Sequence, residues 1–187
     1  MGRSMKIKQT PLKDAFVIEP EPFTDDRGLF ARVFCKQELQ NILHGKNIVQ
    51  VNHSKSRQKG AIRGMHFQRS PKAEVKMVKC LRGSVFDVMI DLRRDSSTFL
   101  KWHGEVLSLE NIKMMFIPEG FAHGFQTIEE NCELLYLHTE FYSPGHEGGV
   151  RYDDPAINIS WPLAATDIST KDQGYPLLSK DFKGIVL

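Results

Sequence analysis

The density of short β-favouring runs constrains this chain more than any other feature. Segments 16–19, 29–34, 48–53, 62–68, 75–81, 85–91, 104–109, 114–117, 124–128 and 133–139 are rich in Val, Ile, Phe and Tyr. Turn clusters separate them, among them Thr24-Asp25-Asp26-Arg27-Gly28, Arg82-Gly83 and Pro118-Glu119-Gly120. One short helix is predicted over 36–44, with Leu39, Ile42 and Leu43 on one face and Gly45 as its stop signal. A second helical or irregular stretch falls near 169–173. Strands at this spacing, with so few helices, predict an all-β sandwich, jelly roll or small barrel with a few short helices.

The strand patterns are not apolar on one side only. Ile62, Gly64, His66 and Gln68 share a face, as do Leu134, Tyr136 and His138, and Lys76 lies with Val78. Two readings are open from pattern alone. Either these faces line a ligand-holding interior, or they meet solvent.

Length and composition narrow the class. The 187 residues suit one domain over 1–187, with 173–187 as a C-terminal tail. Hydrophobic residues at 41% and charged residues at 26% are ordinary for a soluble chain that buries a core without disulfides. Lys plus Arg total 25 against 23 Asp plus Glu, a formal charge of +2. That balance argues against nucleic acid as a partner but permits a local basic pocket for one anionic ligand. No apolar run is long enough to span a membrane. The three cysteines, Cys35, Cys80 and Cys132, are odd in number and form no CxxC pair, which favours reduced thiols and a cytoplasmic setting. The opening MGRSMKIKQT has no apolar signal-peptide core. Met5 reads as an alternative start, with 1–4 a cloning remnant.

The stretch Gly60-Ala61-Ile62-Arg63-Gly64-Met65-His66-Phe67-Gln68 is followed by Lys76. A His beside cations in a semi-closed cavity stays neutral, the state a general base needs. His123 stands at the mouth of a tightly turned strand entry, Pro118 to Gly124. Tyr136 is a candidate acid, because a phenol carries a transferable proton, and Tyr142 could stack on a flat ring. Asp172 could orient His66 by accepting its second ring N–H. Arg27, Gln50, Asn52, Ser54 and Arg63 form a scattered polar set suited to anion contacts. With no GxGxxG or Walker loop, a nucleotide would be held by side chains.

Taken in order, the segments DDRGLFARVF, IVQVNHSKS, GAIRGMHFQ, EVKMVKCLRGSVFDVMIDLRRDSSTF, LSLENIKMMFIPEGFAHGF, LLYLHTEFYSP, GVRYDDPAINISWP and ISTKD resemble the dTDP-4-dehydrorhamnose 3,5-epimerases, the RmlC-type family of the cupin superfamily. The resemblance runs over nearly the whole chain. It implies a cupin-type jelly-roll β-barrel, a homodimer with strand exchange at its interface, and a nucleotide-sugar substrate epimerised without metal or organic cofactor. Carried over by residue, His66 corresponds to the base and Asp172 to its partner. Lys76 corresponds to the cation beside the C4 oxygen, and Tyr136 to the acid on the opposite face. Arg63 and His123 correspond to pocket residues. Arg27, Phe30, Gln50, Asn52 and Tyr142 match the nucleotide-binding set, and Glu147 a position near the base. The chain departs from the family pattern at Arg32, Val51 and Phe67.

The implied chemistry suits these residue types. C3 and C5 both flank the C4 ketone, so removing either proton gives an enolate whose charge Lys76 can stabilise. Inversion then needs a base and an acid on opposite faces, roles that fit His66 and Tyr136. Three rival readings carry their own discriminators. A metal cupin would use His66 and His123 as ligands, yet Gln68 breaks an HxH pattern and Lys76 repels a cation. A binding module would hold nucleotide without exchanging substrate protons. A ketoisomerase would move the carbonyl and give a different product. Single-centre epimerases of dTDP-, CDP- or GDP-ketosugars would share the mechanism.

One parity problem is evident. Arg63 and His66 differ by three, so an ideal strand puts them on opposite faces. For both to line one site, the strand must bulge or twist at Gly64. Otherwise Arg63 must serve a neighbouring subunit.

Overall fold

A computed structural model describes residues 4–187, so most of the possible remnant, residues 1–3, lies outside the described residues. Two antiparallel sheets face each other. The first holds β1 (Met5–Gln9), β2 (Phe16–Pro20), β5 (Gln50–Ser56), β7 (Lys76–Arg82), β10 (Met114–Ile117) and β12 (Cys132–His138), in the order β1-β2-β10-β7-β12-β5. The second holds β6 (Ile62–Gln68), β8 (Ser84–Asp91), β9 (Trp102–Ser108), β11 (Phe121–Thr127) and β13 (Glu147–Gly149), in the order β13-β6-β11-β8-β9. A small hairpin, β3 (Phe23–Asp25) with β4 (Gly28–Phe30), stands apart from both. From β5 to β13, consecutive strands fall in opposite sheets except β8 and β9, the wiring of a jelly roll, and the all-β expectation holds.

Both sheets are covered on both faces, which is why no strand alternated cleanly. Between them lies a core including Val78, Met89, Phe121, Phe125 and Leu134. Outside the first sheet, Leu39, Ile42 and Leu43 of the helical segment cover Met77, Met114 and Phe116. Outside the second, Trp161, Leu178, Phe182 and Ile185 cover Met65, Val88 and Ile90. The tail is therefore docked, and Ile185 exchanges backbone hydrogen bonds with Leu92 and Arg94. The inner core fills only one end of the sandwich. The other end is polar.

Several expected boundaries shift for physical reasons. The run 29–34 pairs only through Phe30, because Val33, Phe34 and Cys35 pack onto the first sheet's outer core instead of finding a strand. The helix over 36–44 contracts to α1 (Gln40–Leu43), stopped by left-handed His44 (φ 48°) just before Gly45. Glu38, in the turn before it, accepts from the Met5 amide and pairs with Arg32. The edge strand β1 escaped notice because Lys6 and Lys8 mask its pattern, as edge lysines do. The second helix is α2 (Thr170–Gln173), capped by Ser169, whose hydroxyl accepts from the Asp172 amide.

Gly64 resolves the parity problem. Along β11, His123 pairs with His66 and Phe125 with Arg63, so two residues of β11 span three of β6. Gly64 adopts φ +120°, and a Cβ there would lie 2.6 Å from Gly124 Cα and 2.7 Å from the His123 carbonyl oxygen. Only glycine permits this bulge. The variant Gly64→Ala should lose about 2–3 kcal/mol of stability, read as a lower urea midpoint at unchanged slope.

Candidate active site

The polar end of the sandwich encloses a cavity of about 500 Å³, within the usual size range of small-molecule sites. β6 delivers Arg63 and His66, β7 delivers Lys76, β11 His123, β12 Tyr136 and His138, and β5 Asn52 and Ser54. The segment leading into α2 closes one wall with Asp167, Ser169, Lys171 and Asp172. The reading of polar strand faces as a cavity lining is the one the structure supports.

His66 and Asp172 meet across 106 residues, with Nε2 2.7 Å from Oδ1. The second carboxylate oxygen accepts from the Gly64 amide at 3.2 Å. Burial raises the Asp172 pKa, but the hydrogen bond and charge of His66, the Gly64 amide and the Ser169 hydroxyl outweigh it, so the carboxyl titrates below its ordinary range. An acceptor at Nε2 fixes the neutral imidazole as the Nε2–H tautomer, with its lone pair on Nδ1.

A second imidazole–carboxylate pair lies alongside. His123 Nε2 is 2.8 Å from Asp87 Oδ2 inside the core. Burial lowers the His123 pKa and outweighs the pull of Asp87, so this ring is neutral. Asp87 was missed in the sequence, although a charge inside the apolar run Val85-Phe86-Asp87-Val88-Met89 was a usable signal.

The Tyr136 hydroxyl lies 3.1 Å from Ser54 Oγ, and its ring meets His123 edge-on and His138 in parallel. Burial pushes its phenol well above the usual value, so it enters any reaction protonated. Lys76 Nζ lies 3.3 Å from Glu74 Oε1. Among the described residues, no group of three or more His, Cys, Asp or Glu side chains is placed to hold a metal ion.

The remaining expected residues divide by position. Gln50, Tyr142 and Glu147 line a smaller hollow of about 130 Å³ that shares Asn52, His66, Lys76 and His138 with the main cavity. There Glu147 accepts from the Tyr142 hydroxyl at 3.1 Å and pairs with Lys171 at 2.6 Å. Arg27 and Phe30 are not in either space. They lie on the exposed β3–β4 hairpin, which has its own shallow groove, and Arg27 pairs with Asp25.

A profile of the dTDP-4-dehydrorhamnose 3,5-epimerase family matches residues 9–180. The dTDP-4-dehydrorhamnose 3,5-epimerase of Salmonella typhimurium is 44% identical over 178 residues, covering 94% of this chain and 97% of that one. The crystal structure of the enzyme of that name from Bacillus anthracis, with TDP and pyrophosphate bound, superposes with a TM-score of 0.90 at 40% identity, covering 94% of this chain and all of that one. The RmlC from Legionella pneumophila, in complex with dTDP-4-keto-L-rhamnose, superposes with a TM-score of 0.88 at 38% identity, covering 93% of each chain.

The depressed pKa of Asp172 has a stability consequence. A carboxyl that ionises more readily folded than unfolded stabilises the fold above its unfolded pKa, and that contribution disappears as pH falls through the folded value. Asp172→Asn should therefore destabilise the protein more at pH 7 than at pH 3, as read by urea unfolding at the two pH values.

Proposed function

This chain belongs to the dTDP-4-dehydrorhamnose 3,5-epimerase family, and we propose that it inverts C3 and C5 of dTDP-4-keto-6-deoxyglucose to give dTDP-4-keto-L-rhamnose through the residues gathered in its cavity. It is an isomerase of nucleotide-linked 4-keto-6-deoxyhexoses. The observation that carries the residue assignment is the 2.7 Å His66–Asp172 pair in one cavity with Lys76 and Tyr136.

His66, neutral and oriented by Asp172, removes the proton from the carbon next to the ketone. The electron pair moves into the enolate, and its charge develops on O4 beside the Lys76 ammonium, where a preorganised cation acts most strongly. Tyr136 delivers its proton to the other face of the carbon. Imidazolium and phenolate are then restored by exchange with water, and the same cycle serves the second centre. The raised phenol pKa makes the phenolate costly, and Ser54 and Arg63 both act to lower it.

Arg63, His123, Gln50, Asn52, Tyr142 and Glu147 are assigned to substrate. No resident metal or organic cofactor is part of the proposal. Arg27 and Phe30 belong to it through a homodimer, in which a second copy lays its hairpin against the site. The exposure of Phe23, Leu29 and Phe30 supports that pairing. The free thiols of Cys35, Cys80 and Cys132 support a cytoplasmic setting. Light scattering near twice the 21.4 kDa chain mass checks the dimer.

An NMR time course with dTDP-4-keto-6-deoxyglucose in D₂O tests the reaction. Deuterium at both C3 and C5 is expected. Labelling at one carbon would make it a single-centre epimerase, and labelling at neither would refute the substrate assignment. Tyr136→Phe should cut product formation on the order of 10²–10⁴-fold while His66 still washes deuterium into the substrate.

A further inference from the structure

We propose that Glu74, held in place by His138, is a positioning residue for the Lys76 ammonium and, through the His138 ring, for the Tyr136 phenol. This rests on the reaction proposed above for Lys76 and Tyr136, and it adds Glu74, which no spacing singled out, and gives a role to His138, which period-two spacing placed on the Tyr136 face.

Glu74 lies two residues before Lys76, the first residue of β7, and His138 ends β12 directly opposite Lys76 in the sheet register. The Glu74 carboxylate divides its oxygens between them. Oε1 lies 3.3 Å from Lys76 Nζ, and Oε2 lies 2.7 Å from His138 Nδ1. The Glu74, Lys76 and His138 side chains are only 11%, 13% and 9% exposed, so a loose surface ion pair is not the right comparison. Buried groups of this kind keep their geometry only when each partner is satisfied.

The protonation pattern is fixed by the neighbours. Gln50 Nε2 donates to Asn52 Oδ1, which leaves the Asn52 Nδ2 amide to donate to His138 Nε2 at 3.2 Å. His138 therefore accepts at Nε2 and donates from Nδ1 to Glu74. Burial raises the Glu74 pKa, but His138 and Lys76 together bring it below its ordinary value. One carboxylate thus faces one ammonium. The Gln50 Oε1 atom accepts from the Tyr142 amide, so a hydrogen-bond chain runs from Tyr142 through Gln50, Asn52 and His138 to Glu74, whose ion pair reaches Lys76.

This arrangement suits a cation that must meet a charge appearing only during the reaction. An ammonium has three donors, and one spent on Glu74 leaves two aimed elsewhere without a free rotor to freeze. The His138 ring, pinned at both nitrogens, also stacks against Tyr136 at 6.1 Å with planes 20° apart. The same carboxylate therefore steadies the groups assigned to O4 and to proton delivery.

The test compares the parent with Glu74→Gln and with His138→Phe, which keeps a ring against Tyr136 but cannot hold Glu74. Turnover and thermal midpoint are measured, and Lys76 acylation by acetic anhydride is mapped by peptide mass spectrometry. Glu74→Gln should lower kcat about tenfold at nearly unchanged KM and thermal midpoint, because the lost alignment is felt as O4 gains charge. Lys76 should acylate several-fold faster in both variants, since an ammonium released from its contact with Glu74 is freer to reach the reagent. Unchanged acylation would overturn the proposal. So would a fall in kcat and thermal midpoint together with a rise in KM, the mark of a purely structural residue. If the parent turns over no substrate, the proposed reaction fails, and acylation alone decides the positioning of Lys76.

Discussion

The approach of Gly64 to Gly124 is the contact on which the rest of this site depends. Neither residue can carry a Cβ there without meeting the other strand's backbone. That approach bends β6 so that Arg63 and His66 enter one cavity, and it sets His66 beside His123 in register. It also turns the Gly64 amide toward Asp172. A regular strand would have buried either His66 or Arg63 in the outer core with Met65 and Phe67.

The polar interior is sustained by division of labour across the two sheets. Apolar side chains fill one end of the sandwich, and two further cores cover the outer faces. Stability therefore does not rely on the cavity walls. The walls can hold buried ionisable groups because each finds a partner, His66 with Asp172, His123 with Asp87, and Lys76 with Glu74 and His138. The cost of burying these groups is offset within a few ångströms, only in part at Asp87, whose Oδ1 has no hydrogen-bond partner among the described residues.

The fold was legible in the sequence because turn chemistry and β-branched runs are local signals, and most strands fall within a residue or two of where pattern put them. The failures are equally physical. Segment 31–34 has strand composition but packs as irregular chain, because composition cannot show that a partner strand is missing. β13 contains Gly148 and Gly149, which carry no β signal. In the site, the face shared by Leu134, Tyr136 and His138 was readable from period two. The Glu74–His138 and Asp87–His123 pairs were not, since partners separated by 64 and 36 residues meet only through sheet register. Phe30 was readable as a candidate from the resemblance alone and Arg27 also as a cation suited to anions, and nothing local places their hairpin.

The carboxylate that orients His66 comes from a four-residue helix near the end of the chain. A helix that short has no stability of its own and persists only by docking. A chain emerging from its N-terminus therefore has the strand walls of the cavity available before His66 acquires its partner. The same logic holds in the finished protein. Local release of residues 169–173 would part Asp172 from His66 while leaving both sheets folded, so the His66–Asp172 pair lasts only as long as the weakest docked segment.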